Sequence, residues 1–410
     1  MTTTVAEVRV LDVLLHGAPV GTLTHVPGDR TLFAFAEDYA ADEHRPVLGL
    51  SFKDRLGELI TAFRPTRTRL LPFFSNLLPE GRMRSYLAER AGVNEKREFF
   101  LLRALGSDLP GAVTVMPANG EARPPDGGER DEPGRHGGGN ALRFSLAGVQ
   151  LKLSAVEAAR GGLTIPARGV GGSWIVKLPS REFEGVPENE FAMMTLARTI
   201  GMDVPALRLV DPDAIGNLPE GIGAPNGQAL AIERFDRLED GTPVHIEDFA
   251  QIFGVYPEDK YEKASAANIA YVIGVEGSHA DIAEFVRRLT YNVLIGNADM
   301  HLKNWSLIYP DKRNAALAPA YDFVSTIPYI ADDKAALNFS RTKRFDRFSE
   351  DELSHLAAKA RLPTKLVLET ARETVALFHR YWNSEKAHLP LAGTVVDAVE
   401  KHLGTVPIAR

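Results

Sequence analysis

Residues 118–140 contain almost nothing that a folded core could bury. Their sequence, ANGEARPPDGGERDEPGRHGGGN, consists mainly of proline, glycine and charged residues. Such a segment cannot offset the entropy lost on ordering, so it predicts a flexible linker or a disordered loop. A chain of 410 residues is also longer than one core usually serves. We therefore expect two or three compact units, with the clearest boundary in this segment.

Residues 1–117, before the linker, have the pattern of an α+β domain. Alternating apolar residues predict a hairpin at 6–26 with its turn at Gly17-Ala18-Pro19. Helical periodicity follows between 70 and 105, and GAVTVM at 111–116 predicts a short strand.

Residues 141–240, after the linker, predict a small β-rich lobe with one helix from about Pro187 to Gly201. Residues 241–410 are mostly helical in pattern, and Ser349–Glu352 predicts a capping box that opens one of these helices. The predicted fold class is α+β, with a β-rich lobe, a helical lobe and an N-terminal α+β domain.

The segment GNADMHLKN, residues 296–304, follows a predicted helix that starts at Ser278–Asp281. Apolar side chains recur along this helix at helical spacing: Ile282, Phe285, Val286, Leu289 and Val293. Gly296 and Asn297 stand where the helix would end. Asp299 is therefore expected on a loop held by a rigid, buried element, a common setting for catalytic groups.

A predicted hairpin follows this loop, with strands at 305–309 and 315–323 around a turn at 310–314. If the strands pair, Asp322 returns beside Asn304. A carboxylate and a carboxamide oxygen are hard ligands that suit Mg²⁺ shared with phosphates rather than zinc.

The spacing of these residues matches the active site of protein kinases. There, a catalytic aspartate precedes a metal-binding asparagine by five residues, and a second metal-binding aspartate follows. Asp299 precedes Asn304 by five residues, and Asp322 opens Asp-Phe-Val where kinases have Asp-Phe-Gly. Lys177, on a strand face opposite its apolar neighbours, is the candidate phosphate-binding lysine, and Glu190 in the next helix is the acid expected to brace it.

Taken singly, each residue has a simpler interpretation. A loop aspartate is usually a turn or cap residue, a strand lysine usually lies on a solvated face, and His301 alone is more typical of a structural histidine than of a ligand. The joint order and spacing favour the kinase interpretation.

Composition excludes several other classes of protein. The chain has no cysteine, which rules out disulfides, thiolate metal sites and cysteine nucleophiles. Its net charge of −7 argues against a broad phosphate-binding surface. The N-terminus does not resemble a signal peptide, and no apolar run is long enough to span a membrane. We expect a cytoplasmic protein without membrane contact.

The chain resembles the HipA-type Ser/Thr kinases, toxins of bacterial toxin–antitoxin pairs, over nearly its whole length. The segments that carry the resemblance occur in family order: FFSNLLPEG (73–81), GAVTV (111–115), FSLAGVQLKLS (144–154), IVKLP (175–179), PENEF (187–191), AIERFDR (231–237), NADMHLKN (297–304) and PAYDF (319–323). The resemblance implies a two-lobed kinase with an appended N-terminal domain.

The resemblance also implies roles for individual residues, with ATP and Mg²⁺ as cofactors. Asp299 would take the proton from the substrate hydroxyl, Asn304 and Asp322 would hold Mg²⁺, and Lys177 would contact the ATP phosphates. The other residues that it places around ATP are Ala147, Gly148, Val149, Gln150, Leu151 and Lys152 in a phosphate-covering loop, Glu233, Arg234 and Phe235 at the hinge, and His301, Lys303 and Tyr321.

The resemblance further implies that Ser145 can be autophosphorylated, which would eject the covering loop and switch the kinase off. A serine that merely ends a strand is the alternative. The loop departs from other kinases in having one glycine, Gly148, instead of G-x-G-x-x-G, and Leu151 stands where well-known members carry an acidic residue.

The implied partners are a HipB-like helix-turn-helix antitoxin, operator DNA reached mainly through that antitoxin, and a protein substrate such as an aminoacyl-tRNA synthetase, glutamyl-tRNA synthetase included. Two alternatives remain: an antitoxin-binding co-repressor with little kinase activity, and a small-molecule phosphotransferase. The basic run 341–348 is expected either to dock an acidic partner or nucleic acid or to be a solvated surface loop.

Overall fold

A computed structural model of the protein describes residues 10–118, 152–157, 162–166, 171–180, 182–218, 227–330 and 334–410. These residues form three antiparallel sheets, with helices packed around them. Ser145 and the covering-loop residues from Ala147 to Leu151 lie outside the described residues, as does most of the predicted linker.

The first sheet belongs to the N-terminal domain and has the order β4-β3-β2-β1-β5. Its strands are β1 (Val10–Leu15), β2 (Ala18–Val26), β3 (Arg30–Phe35), β4 (Thr66–Arg67) and β5 (Val113–Pro117). Four helices accompany it: α1 (Glu37–Ala41), α2 (Pro72–Asn76), α3 (Gly81–Arg90) and α4 (Glu98–Leu105).

The predicted hairpin at the N-terminus is confirmed, but its predicted turn is wrong. The loop consists of His16 and Gly17, both at positive φ (51° and 77°), whereas Ala18 and Pro19 pair with β1. A two-residue hairpin loop needs this backbone conformation because it matches the twist of the flanking strands.

The second sheet, of the small lobe, has the order β7-β6-β8-β10-β9. It comprises β6 (Lys152–Glu157), β7 (Leu163–Thr164), β8 (Trp174–Lys177), β9 (Leu207–Val210) and β10 (Ala229–Glu233). The helix α5 (Val186–Thr199) joins β8 to β9.

The third sheet, β11-β12-β13, lies in the helical lobe. It comprises β11 (His245–Asp248), β12 (Ser306–Tyr309) and β13 (Ala316–Leu317). The pairing of Leu307 with Leu317 confirms the predicted hairpin. Its returning strand is shorter than the predicted 315–323, because only Ala316 and Leu317 pair with β12. The helices of this lobe are α6 (Phe249–Ile252), α7 (Ala266–Glu276), α8 (His279–Leu294), α9 (Glu350–Ala360), α10 (Thr364–Glu385) and α11 (Gly393–Leu403).

Helix α9 starts at Ser349 as predicted, but the predicted capping box there is wrong. The Ser349 hydroxyl accepts from the backbone N–H of Glu352. The Glu352 carboxylate instead accepts from the backbone N–H groups of Ser340 and Arg341, because the chain folds back over the helix start. Within the run 341–348, Arg341 also pairs with this carboxylate, and Arg344 pairs with Asp346.

The N-terminal domain is more than an appended unit, since it contributes to the cores of both lobes. Its own core lies entirely within residues 11–115. Met83 packs into the core of the small lobe, and Val47 packs into the core of the helical lobe. Among the described residues, no helix is long and apolar enough to cross a bilayer.

Candidate active site

Lys177 lies at the end of β8, with a side chain that is only 5% exposed. Its neighbours Trp174 and Val176 face the core of the small lobe, so the lysine points to the opposite side, as predicted. The ammonium group donates to the carboxylates of Glu190 in α5 and of Asp322. Burial would lower the pKa of Lys177, but the two carboxylates raise it above its ordinary value. One buried, charged lysine thus links Glu190 of the small lobe to Asp322 of the helical lobe.

Asp322 stands beyond the hairpin, at a backbone φ of 58° that few non-glycine residues adopt. Lys152, at the start of β6, places its ammonium 3.2 Å from Oδ2 of Asp322. Burial would raise the pKa of Asp322, but Lys152 and Lys177 hold it well below its usual range. The side chain is thus an ionised, hard oxygen donor in the cleft between the lobes.

The loop between α8 and β12 begins as the sequence predicts. Ser278 and Asp281 form a full capping box at the start of α8, and Gly296 ends the helix at φ 68°. Asn297, which sequence analysis treated only as a helix stop, has a second role. Its buried amide donates to Oδ1 of Asn292 at 2.8 Å and to the backbone oxygen of Asp322 at 3.3 Å. This asparagine ties the loop to the segment that carries Asp322.

Asp299 is exposed in this loop, yet hydrogen bonds hold both its backbone and its carboxylate. Its backbone N–H donates to Oδ1 of Asn297 at 3.0 Å, and the hydroxyl of Tyr261 donates to its Oδ1 at 2.7 Å. Desolvation raises the pKa of Asp299, and the hydrogen bond from Tyr261 opposes this shift. Sequence analysis missed Tyr261 because it lies 38 residues away in a loop without a recognised pattern.

Asn304 donates from Nδ2 to the backbone oxygen of Asp299 at 2.9 Å. This hydrogen bond orients the Asn304 side chain and leaves its oxygen, Oδ1, as the atom that can bind a cation. This oxygen and the Asp322 carboxylate are both of the ligand type that Mg²⁺ takes in proteins together with phosphate oxygens. Their chemistry fits that ion, while in this structure Lys152 and Lys177 bind the Asp322 carboxylate.

His301 is buried, and its ring lies edge-on to Tyr261 with 5.0 Å between the centroids. Burial, together with Lys260, lowers its pKa to about 3. The imidazole is therefore neutral at physiological pH and acts in this structure as packing for Tyr261.

Lys303 is held by the N-terminal domain instead of extending freely into the cleft. Its ammonium lies 2.6 Å from Oε1 of Glu80 and donates to the backbone oxygen of Asn76 at 3.1 Å. Burial would raise the pKa of Glu80, but Lys303 and Lys260 lower it to about 2. The resemblance had placed Lys303 beside the nucleotide, and this ion pair was not predicted.

The predicted hinge residues differ in where their side chains lie. Glu233 is exposed at the end of β10, and Phe235 stacks at a tilt on Tyr321, with 5.6 Å between the ring centroids. The buried guanidinium of Arg234 instead forms two bonds with Asp236, at 2.8 and 2.9 Å, and lies 3.3 Å from Asp108. Its donors are occupied by protein carboxylates, so the structure does not bring the Arg234 side chain to the site.

Family models match both parts of the chain. Residues 11–116 match the HipA N-terminal domain, and residues 144–382 match the HipA-like C-terminal domain.

Relatives and a solved structure match most of the chain. It is 61% identical over 407 residues to "Putative kinase Y4dM" of Sinorhizobium fredii, with 98% of each chain covered. It is 27% identical over 357 residues to "Serine/threonine-protein kinase toxin HipA" of Shewanella oneidensis, with 79% of this chain and 77% of that protein covered. A solved structure of the Shewanella oneidensis HipA, HipB and operator DNA complex matches 98% of this chain and 99% of that chain, with a TM-score of 0.72 at 22% identity.

The two lobes and the cleft between them define a protein with a kinase-like fold. Together with the family models, these similarities show that the chain belongs to the HipA family.

Proposed function

We propose that this chain is an ATP-dependent kinase that transfers the γ-phosphoryl group to a serine or threonine hydroxyl of a protein. The observation that carries the proposal is the buried contact of Lys177 with both Glu190 and Asp322, on the same cleft as Asp299. A lysine braced by a helix acid, a base with an asparagine five residues later and a second acid are the parts that phosphoryl transfer requires.

The proposed mechanism assigns one task to each of these groups. Lys177 contacts the ATP phosphates while Glu190 keeps its ammonium in place. Asp299 orients the acceptor hydroxyl and takes its proton, and the raised pKa of this carboxyl suits a general base. Mg²⁺ held by Asn304 and Asp322 would neutralise charge on the phosphate oxygens. Phe235 and Tyr321 flank the adenine side of the cleft.

The test is transfer of ³²P from labelled ATP to protein by purified wild type and Asp299→Asn. The variant should lose transfer, by at least about a hundredfold, while ATP still binds as measured by fluorescence titration. Asp311→Asn, in the exposed turn of the β12–β13 hairpin, is the matched control and should transfer like wild type. Equal transfer by Asp299→Asn and wild type would refute the assignment of the base.

We further propose that the kinase is the toxin of a toxin–antitoxin pair and acts in the cytoplasm. The relative named as a HipA toxin and the solved HipA–HipB–DNA complex support this role, with a HipB-like antitoxin as partner. The proposed substrate class is the aminoacyl-tRNA synthetases. Phosphoproteomics after induction of wild type and Asp299→Asn in the host would name the substrate; a set of phosphosites that is the same for both would contradict a kinase toxin.

One point of regulation belongs to the same proposal. Residues 147–152 would serve as the loop that covers the ATP phosphates, and autophosphorylation of Ser145 would eject this loop, because a phosphate with a charge of about −1.5 to −2 conflicts with those of ATP. Mass spectrometry of wild type after incubation with ATP should find phosphate on Ser145, and Ser145→Ala should keep its activity over time.

A co-repressor function is the second candidate, favoured by the solved complex with HipB and operator DNA. The net charge of −7 predicts weak DNA binding by this chain alone. A mobility-shift assay with and without a HipB-like partner tests the co-repressor function.

The remaining alternative is a small-molecule phosphotransferase. Transfer of ³²P to a small molecule instead of protein would favour it.

A further inference from the structure

One carboxylate of the N-terminal domain contacts two lysines of the helical lobe. Glu80, in the connection between α2 and α3, places Oε1 at 2.6 Å from Lys303 and Oε2 at 2.9 Å from Lys260. Each carboxylate oxygen thus has its own ammonium partner, and the side chain is largely shielded, at 28% exposure. An ion pair at this depth is screened less than one on the surface.

The two lysines belong to the segments that position the catalytic loop. Lys303 directly precedes Asn304 in the chain. The backbone oxygen of Lys260 accepts from the N–H of Leu302 at 3.3 Å, and the next residue, Tyr261, donates to Asp299. The contacts of Glu80 therefore lead by one route towards the metal-binding asparagine and by the other towards the base.

Glu80 itself is held on a rigid base. Asn76, at the end of α2, donates from Nδ2 to the backbone oxygen of Val255 at 2.7 Å, and Gln251 donates to the backbone oxygen of Phe73 at 3.1 Å. On the other side of Glu80, Met83 packs into the core of the small lobe. The connection from α2 to α3 is therefore fixed against both lobes.

A purely local role does not account for the Glu80 side chain. The residue occupies the N-cap position of α3, but its carboxylate makes no capping hydrogen bond to that helix. Without this anion, the ammonium groups of Lys260 and Lys303 would repel each other beside the catalytic loop.

We propose, on the basis of the kinase function proposed above, that Glu80 is a positioning residue through which the N-terminal domain holds the catalytic loop. The active site then comprises residues from both family domains. Phosphoryl transfer depends on the N-terminal domain because small displacements of the base and metal ligand slow a reaction that relies on positioning.

The test compares Glu80→Gln with Glu258→Gln in the full-length protein. Glu258 pairs with Arg69 across the same domain interface, and among the described residues its carboxylate has no ion pair with the catalytic loop. Glu80→Gln should lower kcat by at least about tenfold, with less change in the KM for ATP, while Glu258→Gln should behave like wild type. A conservative Glu80→Asp should recover part of the lost kcat.

Hydrogen exchange provides a readout that needs no activity. Amides 299–304 of Glu80→Gln should exchange faster than in wild type and in Glu258→Gln, while amides of the first sheet exchange at the wild-type rate. Absence of transfer by wild type would count against the kinase proposal alone. Two results would overturn the role of Glu80. One is exchange of amides 299–304 in Glu80→Gln at the wild-type rate. The other is a kcat of Glu80→Gln equal to that of wild type, provided that wild type is active.

Discussion

At the scale of single residues, the candidate site depends on side chains that fix the functional groups. Asn297 joins the catalytic loop to the backbone of Asp322, and that backbone has a left-handed conformation at φ 58°. Non-glycine residues in this region are uncommon and cluster at functional sites. The orientation of the Asp322 carboxylate therefore follows from its backbone and from two lysines together.

Removing the hydroxyl of Tyr261 tests whether neighbouring side chains fix the functional groups of the site. Tyr261→Phe removes only the donor to Oδ1 of Asp299 and keeps the ring against His301. Because a hydrogen bond to a charged group contributes about 1.5–3 kcal/mol, we expect kcat for phosphoryl transfer to fall by roughly tenfold to a hundredfold, with little change in the KM for ATP.

Tyr256→Phe is the matched control for this variant. It lies five residues earlier, and its hydroxyl donates to the backbone oxygen of Leu70 at 3.1 Å, away from the loop. A faster rate of phosphoryl transfer by Tyr261→Phe would mean that the tyrosine hydroxyl keeps the substrate hydroxyl away from Asp299. That result would contradict a positioning role for Tyr261.

At the scale of elements, local sequence patterns predicted correctly those features that depend on residues within one helix or hairpin. The capping box at Ser278, the helix stop at Gly296 and the hairpin of β12 and β13 are all present. The capping box at Ser349 is absent because Glu352 binds a segment that comes before the helix. A local pattern identifies a helix start, but it does not reveal a competing partner from elsewhere in the chain.

The end of α8 gives a prediction at this scale. In Gly296→Ala, the new Cβ would need a left-handed backbone, at φ 68°, and would lie 2.5 Å from Cδ1 of Ile327. We expect a loss of about 1–3 kcal/mol in the free energy of unfolding and weaker phosphoryl transfer, because the catalytic loop starts at this residue. Urea unfolding measures the first and ³²P transfer the second.

Gly393→Ala serves as the control, since an added Cβ there meets nothing within 4 Å. If Gly296→Ala were as stable as Gly393→Ala, the glycine would not be required at the end of α8.

At the scale of the whole molecule, the N-terminal domain and the helical lobe are joined by buried polar contacts. Glu247 in β11 is fully buried and accepts from the N–H of Leu50 at 3.0 Å and from the hydroxyl of Tyr309. Burial raises its pKa from 4.5 to about 8, with the hydrogen bonds from Tyr309 and Leu50 acting in the opposite direction. The carboxyl therefore holds a proton in the folded state that the unfolded chain releases above about pH 4.5.

This shift predicts how stability depends on pH. With its pKa raised on folding, Glu247 favours the folded state fully below about pH 4.5, and this contribution is lost as the pH rises through about 8. Between about pH 5 and pH 8, the melting temperature of wild type should fall more steeply than that of Glu247→Gln, whose side chain does not titrate. Glu373→Gln, on the exposed face of α10, should follow wild type; parallel curves for all three proteins would disprove the shift.

The sequence by itself determined the fold class, the order of the lobes and the roles of Lys177, Glu190, Asp299, Asn304 and Asp322 as candidates. Periodicity, capping and short spacings carry this information because they act between residues close in the chain. The tertiary structure decided which side chains surround those candidates: it paired Lys303 with Glu80, turned Arg234 towards Asp236 and Asp108, and placed Tyr261 on Asp299. Lys303 and Asn76 meet across 227 residues, and a contact at that separation has no local pattern, because it exists only once the domains have packed.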